Sequence, residues 1–203
     1  MPTITALHEV PVVVTPAALM TAEELLAYSI PDKRVELVRG QLIVREPPGM
    51  RHGEYAARVA VALSNFLSRD RESCGATETR GRVLSCDAGF TLARNPDTVR
   101  GPDVSYVSRD RWAGPLPDGY GEFAPDLAVE IRSLGDRAGA LLAKVGDLLD
   151  AGSLLVWVVD PSRRLVSVYR ADGSQAVLGV DEVLDGGDVL PGFRMAIAEL
   201  FVD

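Results

Sequence analysis

Two hydrophobic periods alternate along the chain. Thr21-Ala-Glu-Glu24 has the Thr-x-x-Glu spacing of a capping box, which predicts a short helix ending near Tyr28. Lys33–Arg39 and Gln41–Arg45 alternate apolar and polar residues about Gly40, which predicts a hairpin. Arg51–Ser73 changes to the helical period. Its Ala56, Val59, Ala60, Leu63, Phe66 and Leu67 fall on one stripe, so the longest helix is expected there. From Gly75 to Val107 the pattern turns to β, with apolar stretches at Val83–Leu84, Phe90–Leu92 and Val104–Val107 and a turn at Asn95-Pro96-Asp97. Residues 113–125 hold three Pro and three Gly and read as a loop.

Leu127–Ile131 reads as a buried strand that carries one acid. Asp136–Ala151 is a second amphipathic helix, with Ala138, Leu141, Leu142, Val145, Leu148 and Leu149 on its apolar face and Gly152 ending it. Leu154–Val159 is a continuous apolar run, as a central strand requires. Asp160-Pro161-Ser162 turns into Leu165–Arg170, expected antiparallel to it. The segment 175–203 reads as short edge strands around Pro191-Gly192 and a last helical turn near Ala196–Phe201. Strand, helix and strand across 127–159 imply a right-handed parallel crossover. The fold class is therefore α/β: a central mixed β-sheet flanked by helices, preceded by an N-terminal helix plus hairpin.

Length and composition narrow this picture. The 203 residues suit one folded unit, taken as 18–203. Residues 1–17, with Pro2, Pro11 and Pro16, read as an extended or loosely ordered arm. A formal net charge of −8 argues against nucleic-acid binding by bulk charge, so such a function would need a local basic face or a metal. Two His (His8, His52) and two Cys (Cys74, Cys86), without CxxC or HExxH, argue against structural zinc. Any metal would be held by carboxylate oxygens, which suits Mg²⁺, Mn²⁺ or Ca²⁺. Reduced thiols are preferred over a Cys74–Cys86 bridge. No stretch is long enough to span a membrane. The apolar run at Val10–Val14 is brief, broken by Pro11 and without a cationic leader, so a cytoplasmic protein is expected.

Four features carry candidate chemistry. Glu130 stands in the apolar strand Leu127-Ala-Val-Glu130-Ile, where an unpaired carboxylate costs several kcal/mol by order of magnitude (~). Arg132, two residues on, is an obvious structural partner. Asp103 follows Pro102 at the start of a strand and is aimed by backbone, so two strand-borne acids could meet on one divalent cation. Lys144 lies on the edge of the second helix's apolar stripe and could lean toward Glu130; Arg137 shares that edge. A stripe-edge lysine is as readily a snorkelling residue with a solvated head. Glu36 is another acid between apolar neighbours, either a site residue or half of a salt bridge. His52 opens the long helix. Trp157 and Tyr106 read as core. Arg80, Arg82, Arg94, Arg100, Arg109 and Arg111 make a locally basic stretch, read either as a solvated face or as phosphate contacts.

The chain resembles the Uma2 family of restriction-endonuclease-like proteins within the PD-(D/E)xK nuclease superfamily. The resemblance runs from about Thr21 to Phe201. It is carried by RVELVRGQLIV (34–44), the His of PPGMRHG (47–53), DAGFTL (87–92), GPDVSYV (101–107), APDLAVEIRS (124–133), the DR–AK pattern of 136–144 and LLVWVVDP (154–161). It implies a restriction endonuclease-like fold and metal-assisted hydrolysis of DNA phosphodiester bonds. Asp103 would be the Asp of the PD element and Glu130 the second acid, together holding Mg²⁺ (or Mn²⁺). Position 132 is Arg where the superfamily pattern has its lysine, and Lys144 on the following helix fits a displaced lysine. Glu36 matches the acid of the first hairpin. His52, Arg132 and Arg137 would be supporting or substrate residues. Gln41 and Leu42 stand where relatives often carry a further acid, and Leu134-Gly135 replaces a common Ser-Pro-Ser stretch. A homodimer would suit cutting both strands of a duplex. The alternatives are RNA or a branched duplex as substrate, or a scaffold that kept the fold and lost turnover.

Overall fold

The computed structural model describes residues 12–14, 19–75, 79–133 and 135–202. Helix α1 (Ala22–Leu26) starts at Thr21, where the capping box is closed in both directions. The expected hairpin forms as β2 (Arg34–Val38) and β3 (Gln41–Arg45), with Arg39 and Gly40 at positive φ in the turn. Strand β1 (Val12–Val14) pairs antiparallel with β3; the rest of segment 1–17 lies outside the described residues. Helix α2 (Met50–Cys74) buries Val59, Leu63 and Leu67, with Ala56, Ala60 and Phe66 beside them, so the predicted stripe is the packed face.

The β-rich stretch contains β4 (Gly81–Ser85), β5 (Phe90–Ala93), β6 (Thr98–Arg100) and β7 (Val104–Ser108). Then come β8 (Leu127–Ile131), α3 (Ala138–Asp150), β9 (Leu155–Asp160), β10 (Leu165–Arg170) and β11 (Gln175–Leu178). A hairpin of β12 (Val183–Asp185) and β13 (Arg194–Ala196) and the short α4 (Ile197–Leu200) close the chain.

The central sheet has six strands in the order β11-β10-β9-β8-β7-β4. It is mixed: β8 and β9 are parallel, as the crossover through α3 requires, and the other pairs are antiparallel. The N-terminal hairpin does not join it. It belongs to a second sheet of order β1-β3-β2-β6-β5. The reason is β6, a three-residue strand with no periodic signature, which pairs with β2 and then runs through Gly101-Pro102-Asp103 into β7. That tripeptide is the junction of the two sheets. Strands β12 and β13 form their own small sheet rather than edges of the central one.

The strands at the centre are apolar on both faces because both faces are covered. Leu127, Val129 and Ile131 of β8 and Leu155, Trp157 and Val159 of β9 pack with α2 and the C-terminal segment, with Tyr106 in the same cluster. Ala128, Val156 and Val158 face the other way, against Val145 and Leu148 of α3. By the two-residue period, Glu130 follows Ala128 onto the α3 face. Helix α3 starts two residues later than expected, because Asp136 turns back to accept a hydrogen bond from the Ser133 N–H. Its apolar face is narrower than the sequence suggested: Ala138 is exposed and Leu142 is 52% exposed. Gly152 follows it at φ 101°, as expected.

Candidate active site

Asp103 and Glu130 lie on neighbouring antiparallel strands. The pairing Val104↔Val129 extends by one step to set Asp103 opposite Glu130. Both acids are buried. Asp103 Oδ2 accepts a 2.6 Å hydrogen bond from the Ile131 N–H, so β8 itself aims this carboxylate. His52 Nε2 lies 2.9 Å from Asp103 Oδ1, and His52 Nδ1 lies 3.1 Å from Ser133 Oγ. His52, in the first turn of α2, therefore touches the site directly.

Lys144 enters from α3, buried among the acids rather than snorkelling to solvent. Its Nζ is 2.8 Å from Glu130 Oε1 and 2.8 Å from Glu36 Oε1, and it donates a 2.8 Å hydrogen bond to the Gly101 carbonyl. Among the described residues the Lys144 ammonium is the one close polar partner of the buried Glu130 Oε1. Glu36 is well supplied: it accepts from the Gly101 N–H (3.1 Å) and from Arg100 Nη1 (3.0 Å). Arg100 in turn bonds Asp147 of α3. A Cβ at Gly101 would stand 2.5 Å from the Asp87 carbonyl oxygen, so only glycine lets these two backbones meet.

The two glutamates that share Lys144 are driven apart. For Glu36, burial alone would raise the carboxyl, but Lys144, Arg100 and Arg45 outweigh it and hold it well below the usual range. For Glu130, burial pushes the carboxyl up to about 8; Lys144 opposes this, and Asp103 and Glu36 add to it. Asp103 is held below its usual range, because the His52 contact, Lys144 and the Ile131 N–H overcome its burial. Lys144 is held above its ordinary value: burial would lower it, and the three carboxylates prevail. It is a fixed ammonium, a donor rather than a base.

Two groups of cations have partners that the sequence did not name. Arg132 does not pair with Glu130; it bonds Asp160 at 2.7 Å, because β8 has ended and its side chain turns to the end of β9. Several cations of the basic stretch pair with the protein's own groups. Arg80 pairs with Asp70, Arg94 with Glu23, Asp97 and Glu122, Arg100 with Glu36 and Asp147, and Arg111 with Asp126, while Arg82 donates to the Gly114 carbonyl. These cations are committed to the protein's own acceptors. Arg137 stays outside the charge cluster, exposed at the start of α3. Cys86 is a free, exposed thiol.

The cluster surrounds a cavity of about 140 Å³, also lined by residues that the sequence reading missed: Arg34, Arg45, Asp87 and Asp136. Arg34 Nη1 bridges Asp87 Oδ1 (2.9 Å) and Asp103 Oδ1 (3.4 Å). Arg34 and Arg45 are direct cross-strand partners on the face of Glu36. Like charges there are unfavourable unless acids separate them, and Asp87, Asp103, Glu36 and Asp136 do so. The two-residue period from Glu36 back to Arg34 was the available signal. Oxygen donors alone suit a hard divalent ion. Among the described residues no three His, Cys, Asp or Glu side chains are gathered as a ready-made metal cluster.

No helix among the described residues is long and apolar enough to cross a membrane. No curated protein matches the sequence. A crystal structure from Anabaena variabilis, described as a "putative nuclease belonging to DUF820", superposes with a TM-score of 0.75 at 20% identity, covering 90% of this chain and 97% of that one. The fold is thus shared with that protein. The model of the family Uma2, described as "putative restriction endonuclease", matches residues 22–198. With most of its length matched, from the first helix to the last, the chain belongs to the Uma2 family.

Proposed function

We propose that this chain is a divalent-metal-dependent endonuclease that hydrolyses DNA phosphodiester bonds, with Asp103 and Glu130 as metal-holding carboxylates. The observation that carries it is the facing of these two buried acids across β7 and β8, with the Lys144 ammonium 2.8 Å from Glu130. The buried Glu130 Oε1, with only the Lys144 ammonium close to it among the described residues, and the carboxylate-oxygen donors fit Mg²⁺ or Mn²⁺. Asp103 accepts from His52 and Arg34 at Oδ1 and from the Ile131 N–H at Oδ2, which leaves one Oδ2 lone pair for an ion. A cation held there would supply charge for the phosphate oxygens and acidify a bound water.

The chain's own residues do the positioning. Ile131 N–H and His52 fix the Asp103 carboxylate. Glu36, Arg100 and the Gly101 carbonyl hold Lys144 in place, so its N–H groups are aimed before substrate arrives. Lys144 would thereby supply the ammonium that position 132 lacks, which supports the endonuclease reading over that of an inactive scaffold. The exposed Cys86 thiol suits a reducing cytoplasm. A homodimer would place two such sites on one duplex.

The test is cleavage of plasmid DNA across a Mg²⁺ and Mn²⁺ titration, with Asp103→Asn and Glu130→Gln alongside wild type. Cleavage that needs the ion and is lost in both variants, with circular dichroism unchanged, supports the reading. Cleavage indifferent to the ion or to both substitutions contradicts it.

A further inference from the structure

Arg80, Arg94, Arg100 and Arg111 of the basic stretch are paired with carboxylates, so cations without such partners are sought nearer the site. A groove of about 810 Å³ opens onto the site and shares Glu130, Lys144, His52 and Arg34 with the cavity. Its walls are the β3–α2 connection, the first turn of α2, the loop after β8 and the start of α3. Seven Lys and Arg side chains line it against three Asp and Glu, in a chain whose net charge is −8. Most of the seven are engaged: Lys33 with Glu46, Arg34 with Asp87, Arg45 with Asp136, Arg132 with Asp160 and Lys144 with the glutamates.

Arg51 and Arg137 differ. Each is exposed, lines the groove and has no carboxylate partner among the described residues. Arg51 stands in the first turn of α2 and Arg137 at the start of α3, and neither first turn contains an acid. The positive ends of both helices therefore add to the same field instead of being neutralised. Among the described residues that line the groove none is Phe, Tyr or Trp. It offers cations for phosphates but no platform on which bases stack.

We infer that Arg51 and Arg137 bind backbone phosphates next to the site, so that this groove holds a nucleic-acid duplex through its backbone without reading its bases. This rests on the endonuclease reading above, and binding tests it separately from cleavage. Fluorescence anisotropy without divalent ions is run on labelled duplexes of unrelated sequence and on a single strand, from 50 to 200 mM salt. Wild type binds the duplexes with equal affinity and the single strand more weakly. Arg51→Gln and Arg137→Gln each reduce the salt slope by about 0.9, and the double variant by about twice that. Over this salt range each slope change corresponds to about a 3.5-fold smaller loss of affinity. Arg80→Gln, which removes a cation already paired with Asp70, leaves the slope unchanged. The inference is overturned if wild type does not bind, if the Arg51 and Arg137 variants keep the wild-type slope, if Arg80→Gln lowers it equally, or if affinity follows sequence or favours the single strand. Weakened binding in the groove variants, with cleavage indifferent to Asp103→Asn and Glu130→Gln, would keep the groove and discard the endonuclease site.

Discussion

The two ends of the β7–β8 pair each carry a buried aspartate after a proline, and they are built to opposite rules. At one end Asp126 accepts from the Ser108 N–H at 2.7 Å and from Arg111 Nε at 2.8 Å, and Arg111 also donates to the Gly152 carbonyl. One acid meets one cation and a backbone donor, and nothing is left over. At the other end Glu130 and Glu36 share the one Lys144 ammonium, with Asp103 beside them, so the acids outnumber the cation at their centre. The closed end stabilises the fold. The open end keeps a carboxyl raised to about 8 whose proton a divalent cation would displace.

Substitutions should separate the two ends. The largest effect is expected from Lys144→Ala, which leaves three buried carboxylates without their shared ammonium. It should abolish cleavage and destabilise the fold by about 3–5 kcal/mol in urea melts. If melts show wild-type stability, Lys144 is not the keystone of the cluster. Next, Asp126→Asn should cost about 3 kcal/mol, reduced somewhat by the partial exposure of Arg111, while the folded fraction cleaves at the wild-type rate. Asp103→Asn should do the reverse, lowering cleavage by more than about a hundredfold with a smaller loss of stability. Equal stability losses at both ends would erase the contrast.

Glu130→Gln gives a pH signature. The native carboxyl is raised to about 8 from an ordinary value of 4.5, mainly by burial. Its protonated form contributes stability that is fully present below the unfolded pKa and lost as pH rises through the native one. The permanently neutral variant should therefore gain in Tm over wild type as pH is raised from 5 to 9. A Tm difference that stays flat would mean that Glu130 is not raised. The smallest effect is expected at Arg132, whose half-buried pair with Asp160 lies outside the carboxylate cluster. Arg132→Lys should change stability by less than about 1 kcal/mol and preserve cleavage. A large loss of cleavage would return the lysine's role to position 132.

What was legible in the sequence follows from the range of the forces involved. The α1 cap, the β2–β3 hairpin and the α2 stripe depend on neighbours within one or two turns, and they stand where the pattern put them. Glu130 betrayed itself locally, as an acid among Leu127, Val129 and Ile131. Partner choice was not local. Five Pro-Asp pairs occur in the chain, and only the strand register tells Asp103 from Asp126. Arg100 looked like one of six surface cations, yet it lies buried between Glu36 and Asp147, because β6 pairs with β2. Arg132 went to Asp160 for a similar reason: the strand ended one residue too soon. Asp87 entered the site through a contact with Arg34 across 53 residues, which no window can reveal.

Calorimetric titration of Mn²⁺ into the wild-type protein near pH 7, compared with Asp103→Asn and Glu130→Gln, tests the central claim most directly. Wild type should bind the ion with release of about one proton, displaced from Glu130, and each variant should lose that binding. Binding that survives both substitutions, or no binding by wild type, would contradict a metal centre built on Asp103 and Glu130.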